Sequence, residues 1–459
     1  DQITGNPLYD QGEKYSLIFQ PHDATKTVAV ASSTSANKGG ADFLTDGTSD
    51  QIEINKAIEQ VGKAGGGTVL LLDGTFNITD NILTTYDNVT LTGVGWNTVL
   101  KQGNNIIFSN AGMVRSAADS TEGNKAKPIY VNQHFRHMTW DGNKANQTSN
   151  KNAYGNFGFY QDSSFVDLRV HSFKYYGLDP HENSDAKVPT LRLTVKDNLA
   201  DHNGQDGITL DNIVDSVVEG NVSDANFRHG INVVTDADNN IIRNNVVTNN
   251  GNRGIVIQSG TEKERTSDNN LLENNIAKLN KRDGIYLELA KGTKLENNIA
   301  EGNGESGIHL KAASNSIITG NQLLNNSRTT DKGYSELVIN HYTDTATGKI
   351  TYSTNNLAEK NTILNNKTTV AKYGIEEKAP GNDYNTYKDN TIQGTYKTTR
   401  IQGPNSKEVY SVNQTGRTLW DPAVGDPLAG ITKAPDYVKI DYKAKDGAGN
   451  TKEAARDIG

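Results

Sequence analysis

The clearest pattern along the chain is a set of short segments in which apolar and polar residues alternate, each starting at a glycine. GIVIQ at 254–258, GIYLEL at 284–289 and GIHLK at 307–311 are examples. Alternation with a period of two is typical of β-strands, because successive side chains of a strand point to opposite faces. The pattern predicts a chain built mainly from short strands.

These segments recur at a nearly constant interval. The starting glycines are Gly207, Gly230, Gly254, Gly284 and Gly307, spaced 23, 24, 30 and 23 residues apart. A column of asparagines keeps the same register: Asn198, Asn221, Asn245, Asn275, Asn298 and Asn321. A period of this size is typical of one solenoid coil, which buries its apolar face only against a neighbouring coil. Leucine-rich repeats have a similar length but several leucines per repeat, so we predict an all-β parallel β-helix with asparagine ladders in its turns.

A single segment near the start of the repeats has helical spacing instead. Its apolar residues are Ile54, Ala57, Ile58 and Val61. Asp50 and Glu53 are placed as an N-cap and its reciprocal partner, and Gly65 ends the helix. TVLLL at 68–72 then predicts a buried strand. The unit 46–76 resembles the N-terminal capping helix and first strand of pectate-lyase-like β-helices, which implies a right-handed solenoid with a capping α-helix.

The loss of the repeat suggests the domain limits. We expect residues 1–40 to be an N-terminal extension packing on the helix and residues 41–405 to be the right-handed parallel β-helix. Residues 406–437 are predicted to be a linker and C-terminal cap. Alternation followed by a glycine-rich turn within 438–455 predicts that residues 438–459 begin a truncated β-sandwich-like module.

Composition narrows the functional classes. Of the 459 residues 34% are hydrophobic, none is cysteine, and no apolar run is long enough to cross a membrane. Disulfides and thiolate metal sites are therefore excluded. The net charge of −8 argues against a nucleic-acid partner, since phosphate binding needs a basic surface. The chain starts at Asp1, so a signal peptide could have been removed, and we expect a monomeric, secreted or cell-surface bacterial protein.

The candidate chemistry lies at fixed positions after the repeat glycine. The first position is always apolar and should point inward: Leu178, Ile208, Ile231, Ile255, Ile285 and Ile308. The second and fourth positions should then point outward, which places Asp179 and His181 on one face. Asp211 should lie beside His181 on the next coil, with Tyr176 at the corner of that face. Arg228 and His229 occupy the matching corner two coils further on.

A plainer interpretation is that these polar groups only solvate the surface of the solenoid, as most such residues do. Two features favour catalysis. Several acid and base types converge on adjacent coils, and Pro180 stiffens the strand between Asp179 and His181. From the residues alone, the two interpretations are about equally supported.

The tract YGLDPHE at 176–182 is similar to the active-site signature of the mannuronan C5-epimerases, alginate-modifying right-handed β-helix enzymes. The resemblance extends through 112–116, 140–146, 206–211 and 228–235, and so covers about residues 40–400. It implies that Tyr176, Asp179, His181 and Asp211 are catalytic and that Arg228 contacts substrate. Phe227 and Glu288 depart from the family pattern, which has an acid and a lysine there.

The resemblance implies a reaction at C5 of a 4-linked uronic acid in an anionic polysaccharide, alginate or polymannuronate. His181 is the expected base and Tyr176 the expected acid, although these roles could be exchanged; the two aspartates orient His181 or bind the substrate carboxylate. The expected substrate-binding residues are Arg115, Lys144, Arg228, His229, Glu288 and Lys311. A calcium ion is expected from the family alone, and no organic cofactor is expected.

Two other functions remain open at this point. A polyuronate lyase would share proton removal at C5 but would expel the 4-oxygen, and one enzyme could do both. A non-catalytic carbohydrate-binding β-helix would explain the solenoid but would leave the convergence of acid and base residues as coincidence.

Overall fold

The computed structural model describes residues 26–411 and the backbone of two strands, Val438–Lys445 and Thr451–Ile458. By compactness the chain divides into two units, Asp1–Lys407 and Glu408–Gly459. In the second unit the two terminal strands pair antiparallel, with Val438 opposite Ile458. That hairpin lies within the predicted β-sandwich-like module, which stays a prediction, and the predicted linker falls mostly outside the described residues.

The first unit is a parallel β-helix, as predicted. In the repeat region each coil contributes two short strands to one long parallel sheet and one strand to a second sheet. The strands of the long sheet are Thr27–Ala31, Phe43–Leu44, Gly67–Leu71, Gly74–Ile78, Val89–Thr92, Thr98–Gln102, His134–Asp141, Ser164–His171, Thr194–Lys196, Leu199–Asp201, Val217–Glu219, Val222–Asp224, Ile241–Arg243, Val246–Thr248, Leu271–Glu273, Ile276–Lys278, Lys294–Glu296, Ile299–Glu301, Ile317–Thr319, Gln322–Leu324, Leu357–Glu359, Thr362–Leu364, Thr386–Lys388 and Thr391–Gln393. A further short strand is Lys407–Val409.

The second sheet, which we call the site sheet, is also parallel. Its strands are Ile208–Asp211, Ile231–Val234, Ile255–Gln258, Ile285–Glu288, Ile308–Lys311, Leu337–Asn340, Tyr373–Glu377 and Lys397–Arg400. Ile208 pairs with Ile231, Ile231 with Ile255 and so on through Ile308, which is the register of the glycine column.

Three smaller sheets complete the strands of the first unit. One contains Ile82–Leu83, Val114–Ser116 and Asn156–Gly158, and another contains Tyr130–Val131, Tyr160–Gln161, Thr190–Leu191 and Ile213–Val214. Tyr342–Thr343 and Ile350–Thr351 form an antiparallel hairpin. The helices are Gln51–Lys63, Thr121–Ala126 and a 3₁₀ turn at Lys144–Asn146.

The N-terminal helix confirms the predicted apolar face but corrects its cap. Ile54, Ala57, Ile58 and Val61 are buried. Asp50 does occupy the N-cap, yet its side chain accepts no capping hydrogen bond from the helix. Its carboxylate instead accepts the backbone N–H groups of Gly47 and Asn77, so it ties the helix start to a neighbouring strand. The first strand, Thr27–Ala31, pairs with Gly67–Leu71, so the sheet starts upstream of the predicted limit at residue 41.

Asparagine ladders cross the turns of the solenoid, as the asparagine column predicts. Asn245 Oδ1 accepts both the N–H and the side-chain amide of Asn221, and the Asn245 amide donates to Asn275 Oδ1 at 2.9 Å. A second ladder, which sequence reasoning missed, runs five residues downstream through Asn203, Asn226, Asn250, Asn280, Asn303 and Asn326. The repeat glycine fits between neighbouring coils, because a Cβ on Gly254 would lie 2.5 Å from the Gly284 carbonyl oxygen and 2.8 Å from the side-chain nitrogen of Asn280 in this second ladder.

Candidate active site

Residues 178–181 continue the site sheet toward the N-terminus of the chain. Isolated parallel bridges join Leu178 to Ile208 and Gly158 to Pro180. The Leu178–Ile208 bridge sets His181 opposite Asp211, and the Asp211 N–H donates to the Pro180 carbonyl at 3.1 Å. The predicted neighbours are therefore in contact: His181 Nε2 is 3.3 Å from Asp211 Oδ2.

The His181 ring has a different partner on each nitrogen. Nδ1 is 2.9 Å from the backbone carbonyl oxygen of Glu182, which can only accept, so Nδ1 carries a hydrogen and Nε2 faces Asp211. The ring packs 5.1 Å from that of Phe157, on the preceding coil. Burial opposes the charged imidazolium, but the carboxylates of Asp179 and Asp211 outweigh it and raise the pKa of His181.

Asp179, which is predicted to point outward, is only 4% exposed. Its Oδ1 is buried and has no hydrogen-bond partner among the residues that the structure describes. Burial raises the pKa of Asp179 to about 7. A buried, unpaired carboxylate oxygen is costly, so this group favours the protonated form or an additional hydrogen-bond donor.

Asp211 shares this environment to a lesser degree. Burial raises its pKa, and the nearby His181 counteracts part of that rise. Asp179, His181 and Asp211 thus form one buried group in which protonation of each member depends on the others.

Tyr176 lies at the corner of the same face, in contact with other aromatic rings and a cation. Its ring centroid is 4.5 Å from that of Tyr175 and 5.3 Å from that of Tyr154. The Arg228 guanidinium lies 5.4 Å from its centroid. Burial raises the pKa of the Tyr176 phenol, despite the opposing charge of Arg228. The phenol is therefore protonated at neutral pH and able to donate a proton.

Arg228 is held by Asp206, a fully buried residue that sequence reasoning missed. Arg228 Nε donates to Asp206 Oδ1 at 2.6 Å, and its Nη2 pairs with Oδ2. Asp206 also accepts the His229 N–H at 2.9 Å. Although burial opposes ionisation, the hydrogen bonds and positive charge of Arg228 and the His229 N–H hold the pKa of Asp206 below its usual range. Asp206 immediately precedes its repeat glycine, as Tyr176 does, and comparing that position across coils would have found it.

The other candidates for substrate binding have varied surroundings. Arg115 is 6% exposed, donates to the carbonyls of Ala111 and Ala118, and has its Nε 3.6 Å from a carboxylate oxygen of Asp119, so its role in substrate binding stays a prediction. The Lys144 ammonium donates to the carbonyl of His202. His229 is buried, which lowers its pKa to about 4 and keeps it neutral.

Glu288 and Lys311 do meet on the site sheet, three coils or more beyond the catalytic candidates. Lys311 Nζ and Lys263 Nζ each lie 3.1 Å from a Glu288 carboxylate oxygen. Both ammonium groups also lie over the ring of Tyr342, at 5.0 and 5.3 Å. Sequence reasoning found Glu288 and Lys311 but missed Lys263 and Tyr342, which come from segments outside the repeat.

A calcium site is not visible in the side chains. Within residues 26–411 no group of three or more His, Cys, Asp or Glu side chains is arranged to hold a metal ion. The calcium ion that the resemblance implied therefore stays an expectation, and no chemical step below depends on one. In the same part of the chain, no helix is both long and apolar enough to span a membrane.

Comparison with known proteins places this geometry in a family. The family described as "Right handed beta helix region" matches residues 159–279, and "Periplasmic copper-binding protein (NosD)" matches residues 264–399. Mannuronan C5-epimerase AlgE4 of Azotobacter vinelandii is 35% identical over 407 residues, which are 84% of this chain and 70% of that protein. The solved A-module of the same protein superposes with a TM-score of 0.71 at 32% identity, covering 79% of this chain and 96% of the module.

Longer relatives match over the same region. Mannuronan C5-epimerase AlgE5 of Azotobacter vinelandii is 34% identical over 381 residues, and this chain spans about a third of its length, 36%. Alginate lyase 7 of the same organism is 31% identical over 378 residues, which are 79% of this chain and 42% of that protein. With a relative 35% identical and matched over more than two thirds of its length, the chain belongs to the mannuronan C5-epimerase family.

Proposed function

We propose that this chain is a catalytic module that inverts C5 of mannuronate residues within mannuronan, converting β-D-mannuronate to α-L-guluronate in alginate. The observation that carries the proposal is the buried group of Asp179, His181 and Asp211, which shares one face with a protonated Tyr176. The printed names of the relatives support this reaction.

The reaction needs a base and an acid on opposite sides of the sugar. His181 removes the C5 proton, and the electron pair of the C5–H bond moves into the adjacent carboxylate to form an enolate. Tyr176 then donates its phenolic proton to the other side of C5, which restores the carboxylate with inverted configuration. Solvent reprotonates Tyr176 and removes the proton from His181, so the net change is an isomerisation. Which residue serves as base depends on the sugar face presented.

The enolate is a dianion unless the protein neutralises the sugar carboxylate. Asp179 is suited to this when protonated, because its pKa near 7 permits a neutral carboxyl that donates a hydrogen bond to the carboxylate. Arg228 can supply a positive charge, since its pairing with Asp206 leaves other N–H groups of its guanidinium unused. Asp211 would orient His181 and stabilise the imidazolium that forms.

The group of Glu288, Lys263, Lys311 and Tyr342 is our candidate for binding uronates further along the polymer. Its two ammonium groups face one carboxylate, which leaves a positive excess on that part of the face. A uronate carboxylate could pair with either lysine, and the Tyr342 ring offers an apolar surface to a sugar ring. An anionic polysaccharide substrate also suits a secreted or cell-surface protein.

Lyase activity is the alternative function, and it is supported by the presence of an alginate lyase among the relatives. The lyase and the epimerase share the enolate. In a lyase, the electron pair returns to break the C4–O bond and leave an unsaturated chain end, whereas in an epimerase it takes a proton at C5.

The test is to incubate the chain with polymannuronate in D₂O. Epimerisation is expected to produce guluronate signals in the anomeric region of the proton NMR spectrum, with solvent deuterium at C5. Tyr176→Phe and His181→Asn should each lower turnover by roughly a hundredfold or more. Leu178→Ala is the control: it is buried in the core, so it should lower stability by about 2 to 5 kcal/mol through a cavity. Ultraviolet absorbance from unsaturated ends without guluronate would instead identify a lyase, and full activity of either polar variant would refute the assigned roles.

A further inference from the structure

A loop absent from the shorter coils lies beside the proposed site. The glycines at 254 and 284 are separated by 30 residues, whereas most coils have 23 or 24. The additional residues belong to the segment 259–268, which follows the strand Ile255–Gln258 and which we call the long loop. Arg265 and Lys263 both come from it.

Arg265 extends from the long loop back to the catalytic coil. Its Nη1 and Nη2 donate to the two carboxylate oxygens of Glu182, at 2.9 and 2.6 Å. Its Nε donates to Asp236 at 2.6 Å, so all three nitrogens of the guanidinium have a carboxylate partner. Such a fork of parallel hydrogen bonds sets both the distance and the plane of the two groups. Arg265 thereby connects residues 83 positions apart in sequence.

Glu182 connects Arg265 to the groups that contact both ring nitrogens of His181. Its backbone carbonyl accepts the Nδ1 hydrogen of His181. Its carboxylate also accepts the side-chain amide of Asn212 at 2.7 Å, and Asn212 directly follows Asp211, the partner of Nε2. Movement of Glu182 would therefore disturb the tautomer and the orientation of the ring together.

We propose that Arg265 is a positioning residue, which through Glu182 holds the His181 ring in the orientation and tautomer needed to accept the C5 proton. The inference rests on the function proposed above. It assigns to the long loop a part in catalysis without contact to the sugar.

The contacts of Arg265 favour a positioning role over direct binding of the substrate. Its guanidinium is already neutralised by Glu182 and Asp236, and its side chain is 20% exposed. Loss of a positioning residue should lower kcat, whereas loss of a residue that binds ground state and transition state equally should raise KM alone.

The charges around His181 set the direction of a pH effect. Asp179 on its own strand, Asp211 on the next coil and Glu182 after it all favour the imidazolium, and Phe157 on the preceding coil brings no charge. Arg265 hydrogen bonds hold the pKa of Glu182 down to about 2. Without Arg265, the Glu182 carboxylate would have no cationic partner and would stabilise the imidazolium further, so the base would lose its proton only at a higher pH.

The test compares Arg265→Met, Arg265→Lys, Glu182→Gln and the double variant Arg265→Met with Glu182→Gln. Arg192→Met is the matched control, because Arg192 also makes a two-pronged contact to a carboxylate, that of Asp162, with both side chains exposed. We expect Arg265→Met to lower kcat by roughly tenfold or more with little change in KM, and to move the acid limb of kcat to higher pH. Arg265→Lys should recover part of the loss, since it keeps the charge but not the fork.

Nitrogen-15 NMR of histidine-labelled protein supplies a readout independent of activity, with His181→Asn identifying the signals. Arg265→Met should raise the titration midpoint of His181 and reduce the Nδ1–H tautomer, and the double variant should bring the midpoint back down. An unchanged His181 titration in folded Arg265→Met protein, or a rise in KM alone, would overturn the proposal. If the wild type makes no guluronate but these NMR shifts occur, the positioning survives and the epimerase function fails. If Arg265→Met does not fold, Arg265→Lys decides by the same two readouts.

Discussion

Asp179 has an unusual environment for a carboxyl group. Its carboxyl is almost fully covered, one oxygen lacks a partner within the described residues, and Asp211 adds a like charge nearby. The favourable charge of His181 offsets this only in part, and the pKa of Asp179 rises to about 7. Burying this carboxyl group lowers the stability of the fold, and active-site groups commonly have such unfavourable but reactive environments.

This environment predicts how stability depends on pH. The folded-state pKa of about 7 exceeds the ordinary value of 3.8, so between those limits the folded protein binds more protons at Asp179 than the unfolded chain does. The Asp179 contribution to stability is therefore full at low pH, is lost as the pH rises to about 7, and changes no further above it. Asp179→Asn should remove this dependence. The stability of the variant minus that of the wild type should therefore be greater at pH 8 than at pH 5.

The measurement is the free energy of unfolding of both proteins at several pH values between 4 and 8. The difference should grow by on the order of a few kcal/mol across this range. Buried acids outside the group of Asp179, His181 and Asp211, such as Glu336, titrate in both proteins and cancel in the comparison. A constant difference from pH 4 to pH 8 would mean that Asp179 has an ordinary pKa.

At the scale of structural elements, the asparagine ladders determine how the coils stack. Asn245 receives two hydrogen bonds from Asn221 and donates its amide to Asn275 and to the Val218 carbonyl. Its own backbone N–H also donates to the Asn275 side chain. Each internal asparagine thus satisfies backbone and side-chain groups of both neighbouring coils.

Removing one member of a ladder should therefore cost more than one hydrogen bond. Asn245→Ala would leave buried groups of Asn221 and Val218 unpaired, and we expect it to lower stability by roughly 2 to 5 kcal/mol. Asn366→Ala is the control, because Asn366 is exposed and should change stability by less than about 0.5 kcal/mol. Thermal and denaturant unfolding measure both. Equal, small effects would show that the ladders follow the stacking and do not stabilise it.

The contacts within the repeat could be predicted from the sequence, whereas those of the irregular loops could not. The strand register, the inward position of Leu178 and Ile208, and the contact of His181 with Asp211 all follow from a period that repeats the same local chemistry. Arg265 could not be placed in this way. Its partner lies 83 residues earlier, and the contact depends on how one irregular loop folds over the repeat. The same reason hid Lys263, whereas Asp206 was within reach of a comparison of coils.

For the whole molecule, the net charge of −8 opposes the approach of a polyanion. Binding must then depend on local positive charge, and near the candidate site such charge includes Arg228, Lys263 of the long loop and Lys311 of the site sheet. Each of these cations has an acidic partner, so the substrate competes with an existing ion pair. Partial exposure of the lysines leaves their interactions open to screening by salt.

Affinity for oligomannuronate should therefore fall as ionic strength rises, and it should fall less steeply when a lysine of this group is missing. We expect Lys311→Ala to weaken binding about tenfold at low salt, because Glu288 then retains only Lys263 and repels the uronates more strongly. Lys196→Ala is the matched control: Lys196 pairs with Glu219 on the long sheet, away from the site sheet. Calorimetric titration in the His181→Asn background avoids turnover during the measurement. If affinity did not change with salt, or if both lysine variants lost it equally, binding of a polyuronate along this face would be refuted.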